Sequence, residues 1–183
     1  MSVTLILGGA RSGKSRYAES LLRSHPRVTY VAPGPVPDDS DPEWAERIAR
    51  HRARRPAQWT TRETGDLAAV IRAADHPVMV DCLATWLTRL IDDIDAWQDL
   101  EPAGTHVHRE TTRLIEALGS AQADVILVSN EVGSSIVPAT FSGRMFRDEL
   151  GRVNAAVSAA SDHVALVVAG RVLDLSACPV VAI

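Results

Sequence analysis

The sequence predicts an α/β protein whose mainly parallel sheet is covered by helices on both faces. Short β-branched runs alternate along the chain with segments of helical periodicity, the pattern of repeated strand–helix units. The runs are apolar throughout rather than at every second position, as strands buried on both faces are. A glycine-rich turn directly after the first run, opening a helix, narrows the class to a P-loop nucleotide-binding fold.

Residues 3–7, 28–32, 78–81, 125–129 and 164–169 read as buried strands. Helices are expected near 14–24, 42–53, 65–74, 84–98, 106–119 and 143–160. The first opens at Lys14 behind the glycine turn, and His25-Pro26 stops it. For the second, Ser40 or Asp41 can cap, Pro42 suits the first turn and Glu43 complements the dipole, with Pro56 ending it. Residues 171–175, just beyond Gly170, are expected to add a hairpin strand at an edge. The 183 residues show no repeat, low-complexity tract or composition shift, so 1–183 is expected to be a single domain.

Hydrophobic residues make up 46% of the chain and the net charge is −4, so no global basic field draws it to nucleic acid or anionic lipid. Cys82 and Cys178 lie far apart and form neither a disulfide framework nor a CxxC metal site. The apolar run at 3–7 is too short for a signal core or a membrane span, so a cytoplasmic protein without stable membrane insertion is expected.

Gly8-Gly9-Ala10-Arg11-Ser12-Gly13-Lys14-Ser15 fits the P-loop pattern without a mismatch. Its glycines let backbone N–H groups face phosphate oxygens, and the helix N-terminus adds its dipole. Lys14 is expected to act on the β and γ phosphates, and Ser15 to offer its hydroxyl to Mg²⁺. Asp81, ending an apolar strand, supplies the companion carboxylate for the same metal. Two connections are too elaborate for plain turns, 33–42 and 130–138, and both leave the carboxyl ends of strands, where ligands gather in open α/β sheets.

The segment RIARHRARRP, 47–56, sets one histidine among five arginines. Trp44, Ile48 and His51 share a helix face, so His51 reads as a core histidine from spacing alone. Beside a polyphosphate the same residues take a second reading. Arginines suit phosphate oxygens, and their charge favours the neutral imidazole that a nucleophile at phosphorus needs.

Among weaker signals, Glu131 could bind metal, hold an arginine or face water. Arg144, Arg147 and Arg152 read more readily as a solvated helix side than as phosphate ligands. Trp86 reads as core, and His106 and His108 diverge too far on a helix to form a metal pair.

GGARSGKSR at 8–16, RIARHRARRPAQW at 47–59, VDCLATWLT at 80–88 and SNEVGSSIVP at 129–138 together resemble one family. It is the bifunctional adenosylcobinamide kinase/adenosylcobinamide-phosphate guanylyltransferase family of cobalamin biosynthesis, and GRVNAAVSAASDHVALVVAG at 151–170 is similar to its closing helix and strand. The resemblance implies a RecA-like P-loop domain assembled as a homotrimer. It implies phosphorylation of the aminopropanol hydroxyl of adenosylcobinamide by ATP or GTP. A guanylyl transfer from GTP through His51 to adenosylcobinamide phosphate then follows. GTP contacts are implied at Gly8, Gly9, Ala10, Arg11, Ser12, Gly13, Lys14 and Ser15. Gly34, Pro35, Val36, Arg52, Ala53, Arg54, Arg55, Glu63 and Asp81 are implied with them. Arg50 stands where some members carry a second histidine, which leaves His51 as the candidate nucleophile. Two other readings compete: a P-loop kinase for another small molecule, with His51 structural, and a RecA-like ATPase whose arginines bind nucleic acid. Low aromatic content, 4%, weighs against the last.

Overall fold

Strand β1 (Val3–Gly8) leads into helix α1 (Lys14–Leu21), and β2 (Thr29–Val31) and β3 (Thr60–Arg62) follow. After them come α2 (Leu67–Arg72), β4 (Val78–Asp81), α3 (Leu83–Asp92), α4 (Leu100–Gly119) and β5 (Val125–Asn130). Helix α5 (Phe141–Ala159), β6 (His163–Val168) and β7 (Arg171–Asp174) complete the chain. The structure is a computed structural model in which residues 1–34, 46 and 55–181 are described. The helix expected over 42–53 lies outside the described residues apart from Glu46, which is helical.

The seven strands form one sheet in the order β3-β2-β4-β5-β1-β6-β7. Six run parallel and β7 returns antiparallel to β6. Continuous apolar strands are explained by two cores, one on each face. Leu5, Val78, Val80, Val125 and Leu127 face the larger core, shared with α2, α3, α4 and α5. Their alternates Ile6, Met79, Ile126 and Val128 face the second, with Ala18 and Leu22 from the α1 region, Tyr30 and Trp59. The expected helices on both faces are therefore present.

Parallel pairing brings the carboxyl ends of β1 to β6 to one edge. Along it Arg62, Val31, Asp81, Asn130 and Gly8 fall in spatial order, although residue numbers leap between neighbours. Fully buried Ser129 donates to Asn154 Oδ1 at 2.6 Å, and Asn154 Nδ2 donates to the Asn130 carbonyl at 3.0 Å. That buried polar pair ties α5 to the end of β5, next to β1, through the Ser129 hydroxyl and the Asn130 carbonyl.

Several boundaries differ from the sequence expectation, each for a local reason. Helix α4 starts at Leu100 rather than 106, because Pro102 lies in its first turn, where no backbone donor is lost. Gly104 faces α5, where an added Cβ would sit 3.6 Å from Glu149 Oε1. Helix α3 ends at Asp92 rather than 98: Asp95 takes a left-handed φ of 50°, and Trp97 Nε1 turns back to donate to Asp92 at 2.5 Å. Helix α5 begins at Phe141, where Thr140 Oγ1 accepts from the Gly143 N–H at 3.2 Å. The α1 and α2 helices are shorter than expected, at Lys14–Leu21 and Leu67–Arg72. Strand β3 was not expected. Its three exposed residues pair in register with β2 and carry no apolar pattern.

Candidate active site

The P-loop wraps from the end of β1 into α1 and is held from two sides. Ser12 is buried, its Oγ lies 3.4 Å from the Lys14 N–H that donates to it, and its carbonyl accepts from Gly170 N at 2.9 Å. Gly170 belongs to the two-residue turn joining β6 to β7, so the expected edge hairpin buttresses the phosphate loop. Gly13 caps α1 at φ 101°, a conformation closed to ordinary side chains. Gly8 is required for a different reason: a Cβ there would lie 2.5 Å from Ser12 Oγ and 2.6 Å from the Val167 carbonyl oxygen. Gly8→Ala is therefore expected to destabilise the fold by about 1–3 kcal/mol, since a neighbouring strand's backbone cannot yield as a side chain can. Urea denaturation beside nucleotide titration checks this, and both stability and affinity should fall.

Lys14 is buried, at 8% exposure, and its Nζ donates to the Gly9 carbonyl at 3.2 Å, inside the arc of the loop. Gly9, Ala10 and Arg11 are exposed on that arc, and Gly13 and Ser15 are half-buried. Two strands away, Asp81 ends β4, with β5 between it and β1. Ser15 Oγ donates to Asp81 Oδ1 at 3.3 Å, so residues 66 positions apart meet as the sequence reading required. A hydroxyl and a carboxylate placed together fit a hard divalent cation that keeps waters and takes its other ligands from phosphates. Ser15 and Asp81 are the residues here that could hold such a cation.

One participant was not found from sequence. Tyr30, on β2 and 2% exposed, donates its hydroxyl to Asp81 Oδ2 at 2.8 Å. Burial first, and then the adjacent Asp81 charge, hold that hydroxyl well above its ordinary pKa, so it remains a protonated donor. Arg55 lies over the same ring, its guanidinium carbon 3.4 Å from the centroid, and donates from Nη1 to Thr61 Oγ1 at 2.9 Å. Strand β3 supplies that threonine. The unexpected strand thus helps to place an expected site residue.

Of the remaining implied contacts, Gly34 is half-buried just past β2 and Glu63 is exposed just past β3, both at the sheet's carboxyl edge. Pro35, Val36, His51, Arg52, Ala53 and Arg54 lie outside the described residues. In the 130–138 loop, Glu131 N donates to the Gly8 carbonyl at 3.1 Å, while its carboxylate accepts from Gly133 N at 2.6 Å. Arg144 donates to the Pro138 and Ala139 carbonyls, Arg147 pairs with Asp148 and Arg152 with Glu149. Arg144 therefore ties the loop to the helix, whereas Arg147 and Arg152 pair within the helix and Arg152, 65% exposed, keeps the solvated character expected of it. Trp86 is core, 2% exposed, its Nε1 donating to the Gly65 carbonyl. Both cysteines are free thiols. Among the described residues no helix is long and apolar enough to cross a membrane.

Comparison with known proteins agrees with this geometry. A family model described as cobinamide kinase/cobinamide phosphate guanyltransferase matches residues 4–175. The chain is 40% identical over 176 residues to the bifunctional adenosylcobalamin biosynthesis protein CobU of Salmonella typhimurium, covering 91% of this chain and 95% of that one. It is 42% identical over 182 residues to the bifunctional adenosylcobalamin biosynthesis protein CobP of Pseudomonas aeruginosa, covering 96% and 98%. Among solved structures, an ATPase from the type III secretion system of pathogenic bacteria superposes with a TM-score of 0.59 at 13% identity. That match covers 90% of this chain and 50% of the ATPase, a likeness of fold alone. With the P-loop, its carboxylate and the family match over most of its length in agreement, the chain belongs to the cobinamide kinase/cobinamide phosphate guanyltransferase family.

Proposed function

We propose that both reactions of this bifunctional enzyme use the one nucleotide cradle, and that the second passes through a guanylyl-histidine on His51. In the first, the aminopropanol hydroxyl of adenosylcobinamide attacks the γ-phosphorus of ATP or GTP, and the nucleoside diphosphate leaves. In the second, an imidazole nitrogen of His51 attacks the α-phosphorus of GTP. A P–N bond forms and the P–O bond to pyrophosphate breaks. The phosphate oxygen of adenosylcobinamide phosphate then attacks the same phosphorus, the P–N bond breaks, and the neutral imidazole is restored.

The protein's part is positioning and charge. Backbone N–H groups of the P-loop and Lys14 bind the phosphates. Ser15 and Asp81 would hold Mg²⁺, which supplies Lewis-acid neutralisation of phosphate charge when bound. Arg52, Arg54 and Arg55 stabilise charge on the α-phosphorus and the departing pyrophosphate, with Gly34, Pro35, Val36, Ala53 and Glu63 completing the nucleotide site.

One observation carries the shared-site reading. Arg55, four residues from His51, rests on Tyr30, whose hydroxyl is bonded to Asp81, whose other oxygen accepts from Ser15. The histidine-bearing segment therefore ends within three side-chain contacts of the P-loop, which supports chemistry at γ- and α-phosphorus in one place. The test is a split between two assays. His51→Ala should retain phosphorylation of adenosylcobinamide from γ-labelled nucleotide and lose adenosylcobinamide-GDP formation from α-labelled GTP. Loss of neither activity would make His51 structural. The homotrimer is part of the same proposal, supported by the family resemblance, and light scattering on purified protein tests it.

A further inference from the structure

We propose that Tyr30 is a positioning residue with two separable duties, one at each end of its side chain. The hydroxyl fixes the Asp81 carboxylate for the cation, and the ring fixes Arg55 for guanylyl transfer. The second duty rests on the guanylyl-histidine reading above; the first does not.

The geometry behind this is specific. Tyr30 stands at the middle of β2, paired with Met79 of β4, so its side chain is carried by the strand adjacent to the one that Asp81 ends. Register, not sequence spacing, brings the phenol within 2.8 Å of Asp81 Oδ2. A carboxylate at a strand end can rotate about χ2, a broad torsion. Hydrogen bonds at both oxygens, from Tyr30 and from Ser15, set its plane and leave Oδ1 on the P-loop side. At the other end, a guanidinium whose carbon lies 3.4 Å from the ring centroid rests over a π-face that is itself buried. The other hold on Arg55 among the described residues is a single hydrogen bond from its guanidinium to Thr61, on a three-residue strand whose residues are exposed where the ring is buried. The ring is thus the firmer of the two seats, and it cannot move without moving the phenol against Asp81.

Removing the hydroxyl and removing the ring should therefore have different consequences. Tyr30→Phe keeps the seat under Arg55 and releases one carboxylate oxygen. Tyr30→Leu removes both. Three readouts separate them: the Mg²⁺ concentration that half-saturates binding of GTP in calorimetric titration, the kinase rate, and the rate of covalent labelling by α-labelled GTP.

For Tyr30→Phe, the half-saturating Mg²⁺ concentration is expected to rise about ten-fold or more, as loss of one hydrogen bond to a charged group implies. Kinase and labelling rates should fall together, so their ratio holds. For Tyr30→Leu, labelling is expected to fall at least ten-fold further than the kinase rate. Combining Tyr30→Leu with Arg55→Met should lower the labelling-to-kinase ratio no more than Arg55→Met alone, because the ring acts through the arginine, while both rates still fall by the share that loss of the hydroxyl causes. Thermal melts accompany each variant. Should Tyr30→Leu not fold, the unchanged labelling-to-kinase ratio and raised Mg²⁺ requirement of Tyr30→Phe still test the hydroxyl's duty.

An unchanged Mg²⁺ requirement in Tyr30→Phe overturns the first duty. An unchanged ratio in Tyr30→Leu, or full additivity with Arg55→Met, overturns the second and makes the ring ordinary core. Wild-type protein that takes no label would fail the guanylyl-histidine reading instead, with the Mg²⁺ comparison still deciding Tyr30's role at Asp81.

Discussion

Lys14→Ala is expected to lower both reaction rates by about 10²–10³-fold while leaving a protein that folds at least as stably. The rate loss follows from removing a preorganised cation that faces charge developing on the transferred phosphorus. Nucleotide affinity should also drop, by about 1.5–3 kcal/mol for a charge-assisted contact, or roughly ten- to a hundred-fold. Stability should move the other way. Lys14 is held at 8% exposure with its ammonium turned to the Gly9 carbonyl, and burying a cation carries a solvation cost that an alanine does not. Steady-state rates, a nucleotide titration and a thermal melt on the same preparation check the three parts together. A variant that retains its rates would mean that the loop binds nucleotide without taking part in transfer.

Asp81→Ala should have a comparable effect on rate but the opposite effect on stability. It removes a carboxylate expected to hold Mg²⁺, and it also strips the acceptor from the buried Tyr30 hydroxyl. An unpaired buried donor costs about 1–3 kcal/mol, and for a chain of this size each kcal/mol lowers Tm by about 2–4 °C. Asp81→Asn separates the two roles. Its amide oxygen can still accept from Tyr30, so the melt should recover most of the loss, whereas the charge that attracts the cation is gone and the rates should stay at least about 100-fold down. Equal melting temperatures for the alanine and asparagine variants would show that the Tyr30 contact contributes little to the fold.

The fold was legible because its signals are local. Alternating runs, a glycine turn and a strand-end aspartate can each be read within ten residues, and parallel pairing then assembles them at one edge. What escaped was either exposed or non-local. Strand β3 is three exposed residues, Thr60, Thr61 and Arg62, whose strand character comes from pairing with β2 rather than from apolar alternation. The first turn of α4 was hidden by Pro102 and Gly104, which break a helix interior but not its start.

At the site, Lys14, Ser15 and Asp81 follow from pattern and physical role, and the structure brings Ser15 and Asp81 together. Tyr30 did not follow, because a tyrosine inside an apolar run reads as core, and it is core as well. Its polar end becomes visible only when β2 and β4 are placed side by side, 51 residues apart at the contact. Arg55 was assigned to nucleotide by resemblance, and the structure adds what supports it from beneath.

The central claim, that one cradle serves a covalent guanylyl transfer, is tested most directly by the chemistry of the enzyme-bound label. Wild-type protein and His51→Ala are incubated with α-labelled GTP and Mg²⁺, denatured, and exposed to acid and to base. The account predicts label on the wild type alone, lost in acid and kept in base as a phosphoramidate is, and recovered on the peptide containing His51. Label that persists in His51→Ala, or a wild type that binds GTP through the P-loop and acquires none, would contradict it.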